Sequence, residues 1–351
     1  MKKTVATFKV EYLQILNEKG EVDKRLMPTL SNDDLKKMYR FMVLSRVFND
    51  KILKLQRQGR LGTLASIRGQ EAAQVGSAFA LQSQDMVFPS FREHAVFITR
   101  GISMSGMILA FAGDERGQKI PEGSNNFMYS VPVGTHLLHA VGYAWGMKIR
   151  KKNAVAIVYF GDGATSEGDF HEALNFAGVF QAPVIFLNQN NQWAISLPRS
   201  RQSHAETLAQ KAIAYGFEGI KVDGNDVFAM YKATKDALDK ARKGGGPTYI
   251  EAYTYRMDDH TTADSAIRYR DQKEVDVWAK KDPIDRLQRF ITKKRIWSKK
   301  DEDKLLAECS DLVEKAVAEA EKISPPNPKD MFTYMYAEPT SILQDEMKDL
   351  E

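Results

Sequence analysis

Seven apolar residues in a row, Ala154 to Phe160, run straight into Gly161-Asp162-Gly163. So short and uninterrupted an apolar run, closed by glycine, reads as a strand buried on both faces, the mark of a parallel sheet. Asp169 to Phe180 then shows helical spacing, and Pro183 to Leu187 is a second apolar run, ending in Asn188-Gln189-Asn190-Asn191. Strand, helix and strand make a βαβ unit. Another follows, with a strand at Ile220 to Val222 closed by Asp223-Gly224, a helix over Phe228 to Arg242 and a strand over Thr248 to Tyr253. The expected fold is α/β: a doubly wound, mostly parallel sheet with helices on both faces.

The flanks are simpler. Residues 1–30 read as an N-terminal arm, 31–290 as the α/β domain and 291–351 as a helical extension. Ser31 with Asp34 is a capping box, opening a helix expected to reach about Gln58, where Gly59 and Gly62 end it. Gln70 to Leu81 reads as a second, alanine-rich helix. Asp301 to Lys322 is amphipathic through Leu305, Cys309, Leu312, Val313, Ala316, Val317 and Ala320, and Pro325, Pro326 and Pro328 stop it.

Composition excludes several classes of function. The single cysteine, Cys309, rules out an intrachain disulfide and any cysteine-based zinc site, which fits a reducing, cytoplasmic setting. No window approaches the ~20 apolar residues a membrane span requires, and the first residues show no signal-peptide pattern. The net charge of +4 is spread along the chain. The densest basic run, Lys148 to Lys152, reads as a solvated turn, so no nucleic-acid partner is expected.

Chemistry is expected at the carboxyl ends of the strands, where open parallel sheets bind ligands. At one end the glycines of Gly161-Asp162-Gly163-Ala164 allow close backbone approach to a phosphate, and the next helix offers free N–H groups. Asp162 adds a hard carboxylate oxygen. At the other end, Asn190-Asn191-Gln192-Trp193 offers neutral amide and carbonyl oxygens. One carboxylate, one amide oxygen and one carbonyl, completed by phosphate oxygens and water, suit an octahedral magnesium ion. Gly244-Gly245-Gly246-Pro247 precedes a strand, lacks the lysine of a phosphate loop and reads as a turn. No GxGxxG stands at a strand–helix junction, so a nicotinamide site is not supported.

A strand-end GDG and an Asn-Asn pair with 26 residues between them, 164–189, resemble the thiamine-diphosphate fingerprint. Gly161-Asp162-Gly163-Ala164-Thr165-Ser166-Glu167-Gly168-Asp169-Phe170 and its continuation to Gly178 are similar to the α subunits of pyruvate and branched-chain 2-oxo acid dehydrogenases. So are Gly69-Gln70-Glu71-Ala72, Phe91-Arg92-Glu93-His94, Val133-Gly134-Thr135 and Val222-Asp223-Gly224-Asn225-Asp226. The resemblance covers roughly residues 30–290. It implies that Asp162, Asn191 and the Trp193 carbonyl bind Mg2+, that Gly163 and Ala164 meet the diphosphate through backbone N–H groups, and that Arg92 pairs with it. Phe91 stands where the family usually has tyrosine. The backbone near Val131 and Val133 is expected beside the aminopyrimidine, with Val133 helping to bend the cofactor. The polar segment from Tyr255 to Arg270 resembles an active-site loop, with His260 and Arg256 as catalytic residues; a histidine suits proton transfer near neutrality.

The remaining histidines have plainer readings: His139 packed against a neighbouring helix, His136 near the pocket, His94 at the substrate entrance, His171 and His204 structural or on the surface. Asp169 and Glu172, three apart on one helix face, read more simply as surface carboxylates than as a buried pair that passes protons. Thr261 follows His260 where some relatives carry a phosphorylated serine.

The family's cofactor also needs a glutamate from a pyrimidine-binding domain, for which one doubly wound sheet has no room. The resemblance therefore implies a β subunit and an α2β2 assembly. The reaction it implies is oxidative decarboxylation of a 2-oxo acid with acyl transfer to a lipoyl group of a partner acyltransferase. Thr63 and Leu64 fall where relatives place aromatics near the substrate, which would widen the pocket, but pyruvate is the commonest substrate of such chains and is expected here. Branched-chain 2-oxo acids come second and acetoin third. A magnesium-dependent nucleotide-binding module is the alternative from another class.

Overall fold

The computed structural model describes residues 1–350. Its strands are β1 (Glu11–Leu13), β2 (Met86–Phe88), β3 (Ala156–Gly161), β4 (Val184–Asn190), a small antiparallel pair β5 (Trp193–Ala194) and β6 (Leu197–Pro198), then β7 (Glu218–Asp223) and β8 (Thr248–Tyr253). Six of them form one sheet in the order β1-β7-β8-β4-β3-β2. All its pairings are parallel, with Ile157 opposite Ile185 and Leu187 opposite Ile250 in the centre.

Side chains alternate across a strand, and this divides the β3 run between two cores. Val155, Ile157 and Tyr159 face one side, with Ile185, Leu187 and Ile250. Ala156, Val158 and Phe160 face the other, with Val184, Phe186 and Tyr249. The helices Asn32–Arg57, Glu71–Ala80, Val227–Arg242, Pro283–Lys293 and Lys299–Glu321 cover the first face. Thr135–Ile149, Gly168–Phe180 and the 3-10 segment Ala209–Tyr215 cover the second. The sheet is thus doubly wound, as the apolar runs imply. No helix among the described residues is long and apolar enough to cross a membrane.

Local signals account for the boundaries. Ser31 and Asp34 form the reciprocal capping box, and the helix ends with Gln58 as its C-cap, followed by Gly59 at φ +74°. The C-terminal helix starts two residues before Asp301, because Asp301 is the third residue of a second capping box opened by Ser298. It buries Leu305, Cys309 and Val313 in the same core as Asn32–Arg57. β4 extends three residues beyond Leu187. Asn188, Gln189 and Asn190 remain paired to Glu251, Ala252 and Tyr253, and buried acceptors satisfy two of their amides: Asn190 donates to Glu251 (2.7 Å) and Gln189 to Glu93 (2.5 Å). Apolar patterning cannot register a strand held by buried amides.

Two three-residue edge strands, β1 and β2, are too short to leave a sequence period. β1 joins the sheet through Asp226. One oxygen of that carboxylate caps the helix Val227–Arg242 at Phe228 N and Ala229 N, and the other accepts from Ile15 N and Leu16 N, both at 2.6 Å. His139 differs from its expected packing. It lies exposed, stacked on Phe127 with ring centroids 5.8 Å apart, because it stands on the outer face of its helix.

The helices Glu71–Ala80 and Val227–Arg242 meet at Gly76, where an added Cβ would lie 2.7 Å from the Val227 carbonyl and 2.8 Å from Met230 Cβ. Backbone cannot yield as a flexible side chain can. Gly76→Ala is therefore expected to destabilise the fold by about 1–3 kcal/mol despite alanine's better helix propensity. Chemical denaturation of the two proteins checks this; a variant as stable as the parent would show that the helices separate freely.

Candidate active site

Three strand ends converge on one cleft. β3 delivers Asp162, β4 delivers Asn191, and the chain leaving β8 delivers Arg256. The β5 strand packs against the Asp162–Ser166 turn. There an added Cβ on Gly163 would stand 3.1 Å from Ala194 Cβ, so glycine permits the approach. Gln192 at φ +73° and Ile195 at φ +54° hold left-handed conformations without being glycine. Strain of this kind, costing about 1–3 kcal/mol per residue, concentrates at ligand sites.

The candidate metal residues carry the expected mixture of donors. Asp162 is buried, and its Oδ2 has no hydrogen-bond partner. Burial pushes its carboxyl up to about 6, although Arg256, Arg92 and Arg199 all pull it down. Asn191 Oδ1 accepts from Trp193 N at 3.2 Å, and its Nδ2 donates to Gln70 Oε1 at 3.3 Å. The Trp193 carbonyl accepts from Arg256 Nη1 at a long 3.3 Å. Among the described residues no three His, Cys, Asp or Glu cluster as metal ligands, so a cation here would depend on the carboxylate–amide–carbonyl set. The unpartnered Asp162 oxygen fits one.

The candidate diphosphate side is cationic. Arg92 is buried; its Nη1 donates to the Ser66 carbonyl at 2.5 Å, and its Nη2 lies 3.0 Å from the His260 carbonyl and 3.1 Å from His260 Nδ1. Burial, and then the like charge of Arg256, lower Arg92 to about 10. Arg256 donates to the Ile195 carbonyl (2.8 Å) and to the Tyr269 hydroxyl (2.7 Å), and its Nη1 reaches His260 Nδ1 at 3.5 Å. Phe91 meets the His260 ring edge to face at 6.0 Å. His260 is half-buried, and burial followed by Arg92 and Arg256 lowers its imidazole to about 4. A neutral ring whose Nδ1 accepts from Arg92 carries its proton on Nε2.

The His260 loop is ordered by its own contacts. His260 N donates to Asp264 Oδ2 (2.9 Å), Ala266 N to Asp259 Oδ1 (2.7 Å) and Thr262 N to the Leu64 carbonyl (3.1 Å); the Tyr269 hydroxyl donates to Asp264. The last backbone contact brings Leu64 to the His260 loop, while neighbouring Thr63 is exposed. Val131 and Val133 remain apart from this cluster, 68% and 48% exposed, on the loop before Thr135–Ile149. That loop ends at Gly134, where an added Cβ would lie 3.2 Å from Glu167 Cβ. Ala164 is buried behind the Asp162 turn.

The other polar residues separate cleanly. His94 is fully buried, between the Ala65 carbonyl (2.9 Å) and the Tyr129 hydroxyl (3.1 Å), and burial takes it down to about 4. It packs inside the wall instead of lining an entrance. His136 bonds the Tyr159 carbonyl at 2.7 Å. His171, His204 and Glu172 are exposed and Asp169 is half-buried. Sequence reasoning missed Ser66, Glu93, Gln189, Asp264 and Tyr269, which hold the cluster in place. Glu93 lay inside a quoted motif, Gln189 in the polar end of the second apolar run, and Asp264 and Tyr269 inside the polar segment Tyr255 to Arg270, but none was assigned a role; Ser66 carries no pattern that marks it.

A doubly wound sheet with an acidic turn, an amide turn and two buried guanidinium groups at its strand ends defines a cofactor-dependent α/β enzyme. The model of the dehydrogenase E1 component family matches residues 39–329, and the chain belongs to that family. It is 43% identical over 338 residues to the pyruvate dehydrogenase E1 component subunit alpha of Bacillus cereus, covering 96% of this chain and 91% of that one. It is 42% identical over 330 residues to the subunit of the same name from Staphylococcus aureus strain Mu50, covering 93% and 89%. With the Staphylococcus epidermidis subunit it shares 41% over 332 residues, covering 94% and 90%. The chain is thus an oxidoreductase subunit of the E1 class.

The two guanidinium charges that depress His260 are hydrogen-bonded to carbonyls, the Tyr269 hydroxyl and the His260 ring, and to no carboxylate. Inorganic pyrophosphate bound at Arg92 and Arg256 would offset them and stabilise the imidazolium, so the His260 pKa should rise from about 4 toward neutrality. Histidine NMR titration with and without pyrophosphate and magnesium measures this; a pKa unmoved at saturation would place the anion elsewhere.

Proposed function

We propose that the chain is the α subunit of a pyruvate dehydrogenase E1 component, holding the diphosphate end of thiamine diphosphate and its Mg2+ at the strand-end cleft. The observation that carries this reading is the buried, unpartnered Asp162 oxygen beside Arg92 and Arg256. Asp162, the Asn191 amide oxygen and the Trp193 carbonyl would hold the metal. Arg92 and the N–H groups of Gly163 and Ala164 would hold the diphosphate. A guanidinium fork suits phosphate oxygens.

When bound, thiamine diphosphate supplies the carbon nucleophile and the electron sink for decarboxylation of a 2-oxo acid. The chain's part is orientation and proton handling. Arg92 fixes His260 through both its ring and its carbonyl, so the proton-bearing Nε2 stands on the side away from Arg92. Phe91 closes the other side of that ring with an apolar edge, and its lack of a hydroxyl leaves His260 as the loop's proton carrier. Arg256 spans the Trp193 carbonyl, Ile195 and Tyr269, coupling the metal turn to the active-site loop. Pyruvate is the preferred substrate by the names its relatives carry.

Apolar surface supports a β subunit as partner. Val131, Val133 and Met128, 51% exposed, sit on one loop. On the adjacent helices Thr135–Ile149 and Gly168–Phe180, Trp145 stacks on Phe180 at 4.1 Å and Phe176 on Phe180 at 5.8 Å, with Val179 68% exposed. Contiguous exposed apolar groups mark interaction sites. A second chain closing over Val131 and Val133 would complete the cofactor pocket, within an α2β2 assembly that passes its acyl group to a lipoyl acyltransferase.

Two measurements test the reading. Asp162→Asn removes the one formal charge in the metal set, and titration calorimetry should show magnesium-dependent cofactor affinity falling by about tenfold or more; undiminished affinity would remove Asp162 from the site. The α chain alone should not decarboxylate. Reconstituted with β, it should turn over pyruvate with a higher kcat/KM than 3-methyl-2-oxobutanoate, by the roughly 10–200-fold that added methylenes govern in an apolar pocket. The reverse ranking would reassign the substrate while leaving the cofactor site intact.

A further inference from the structure

Arg92 gains its orientation from a buried polar chain that touches no expected ligand. The Glu93 carboxylate accepts from Ser90 Oγ (2.9 Å), from Arg92 N (3.2 Å) and from Gln189 Nε2 (2.5 Å). Gln189 Oε1 accepts from Gln74 Nε2 (2.9 Å), and the same Nε2 donates to the Arg92 carbonyl (3.0 Å). Gln74 Oε1 accepts from Ala95 N (3.0 Å). Ser90, Arg92, Glu93, Gln74 and Gln189 are all buried. The peptide groups on both sides of Arg92 are thus gripped, while its guanidinium points the other way, to Ser66 and His260.

The direction of this chain is fixed at both ends. Ala95 N can only donate, so Gln74 must present its oxygen there and its amide nitrogen to Gln189. Gln189 must then answer with oxygen, and its nitrogen faces Glu93. Glu93 closes the chain by accepting from three donors, which counter the rise that burial imposes on its carboxyl. Gln189 lies on β4, two residues before Asn191, whereas Glu93 follows Arg92 directly.

We propose that Glu93 and Gln189 form a buried strut that sets the Arg92 turn against the Asn191 turn, so that the two halves of the cleft are spaced for a metal-bound diphosphate before it arrives. Both act as positioning residues through Arg92 and β4. The inference rests on the cofactor reading above for its ligand, but not for the geometry of the strut. A plainer role, core stabilisation alone, would lower thermal stability and leave ligand affinity and His260 unmoved.

Polarity gives the test. Glu93→Gln replaces one acceptor oxygen with an NH2 that faces a donor. Gln189→Glu alone sets two carboxylates against each other. Together, Glu93→Gln with Gln189→Glu restores every bond: Gln at 93 donates to Glu at 189, Glu at 189 also accepts from Gln74, and the remaining oxygen at 93 accepts from Ser90 and Arg92 N. Each single variant, in the full chain assembled with β, should weaken binding of thiamine diphosphate with magnesium by about tenfold or more, the scale of one unsatisfied buried donor. Each should also raise the His260 pKa, as Arg92 loses its fixed place beside the ring. The double variant should recover both. Ser90→Ala removes a single donor and should shift both readouts less, which keeps the strut testable if Glu93→Gln does not fold. Single variants that lose thermal stability while binding and His260 stay as in the parent would overturn the proposal, as would a folded double variant without recovery. A parent that binds no thiamine diphosphate would sink the cofactor reading, and the His260 titration would still decide the strut.

Discussion

A parallel sheet covered on both faces leaves polar chemistry no place except the strand ends. Every residue of β3 from Ala156 to Phe160 is buried, and its alternate side chains enter two separate cores. Polar groups are concentrated toward the carboxyl ends of the strands, where the last residues of β4 and the chain leaving the sheet carry them. Asp162 follows β3, Asn191 follows β4, and Arg256 follows β8 by three residues. Because β3, β4 and β8 are neighbours in the sheet, the three exits share one cleft. The site's location is a consequence of the layers, and its chemistry of which residues occupy the exits.

Those residues pose an electrostatic problem. Two guanidinium groups and an imidazole stand within hydrogen-bond reach of each other, and the neighbouring Asp162 is itself pushed toward its neutral form by burial. Burying charge without full pairing costs several kcal/mol per ion in real proteins. His260 is accordingly held toward its neutral form, the Trp193 carbonyl accepts from Arg256, and an Asp162 oxygen has no protein partner. A divalent cation with an attached polyanion would resolve all three at once: the cation meets the carboxylate, and the anion meets the guanidinium groups.

How much of this was legible depends on the kind of force involved. The buried strands were legible because apolar runs between glycines have few other uses, and the capping box at Ser31 because three-residue spacing is local; the box at Ser298 has the same spacing but was not read, which put the helix start at Asp301. β1 was hidden because what docks it is Asp226, a carboxylate 210 residues from Leu16 in sequence. The end of β4 was hidden because Asn188 to Asn190 read as a loop until Glu93 and Glu251 supply their acceptors. Of the candidate site, His260 was singled out by the resemblance of its segment to a family loop, whereas Asp162 and Asn191 stood in motifs whose spacing carries information. Gln189 stood directly beside one, and its part is visible only in three dimensions, because a polar chain with fixed direction leaves no period.

The same contrast bears on His260. Its loop resembles an active-site segment, and it is held by Asp264, Asp259, Leu64 and Arg92. Most of these contacts are backbone-to-carboxylate or backbone-to-backbone, so they restrain the loop without engaging the ring. The ring is held by Arg92 alone at its Nδ1, with Arg256 a longer 3.5 Å away. Whatever moves Arg92 therefore moves the protonation of His260 before it moves the loop. Under the proposed reading, binding an anion and readying the proton carrier would become one event, because the same guanidinium would serve both. That coupling would require Arg92 to keep one place beside the ring, and the buried bonds to its two peptide groups supply that restraint.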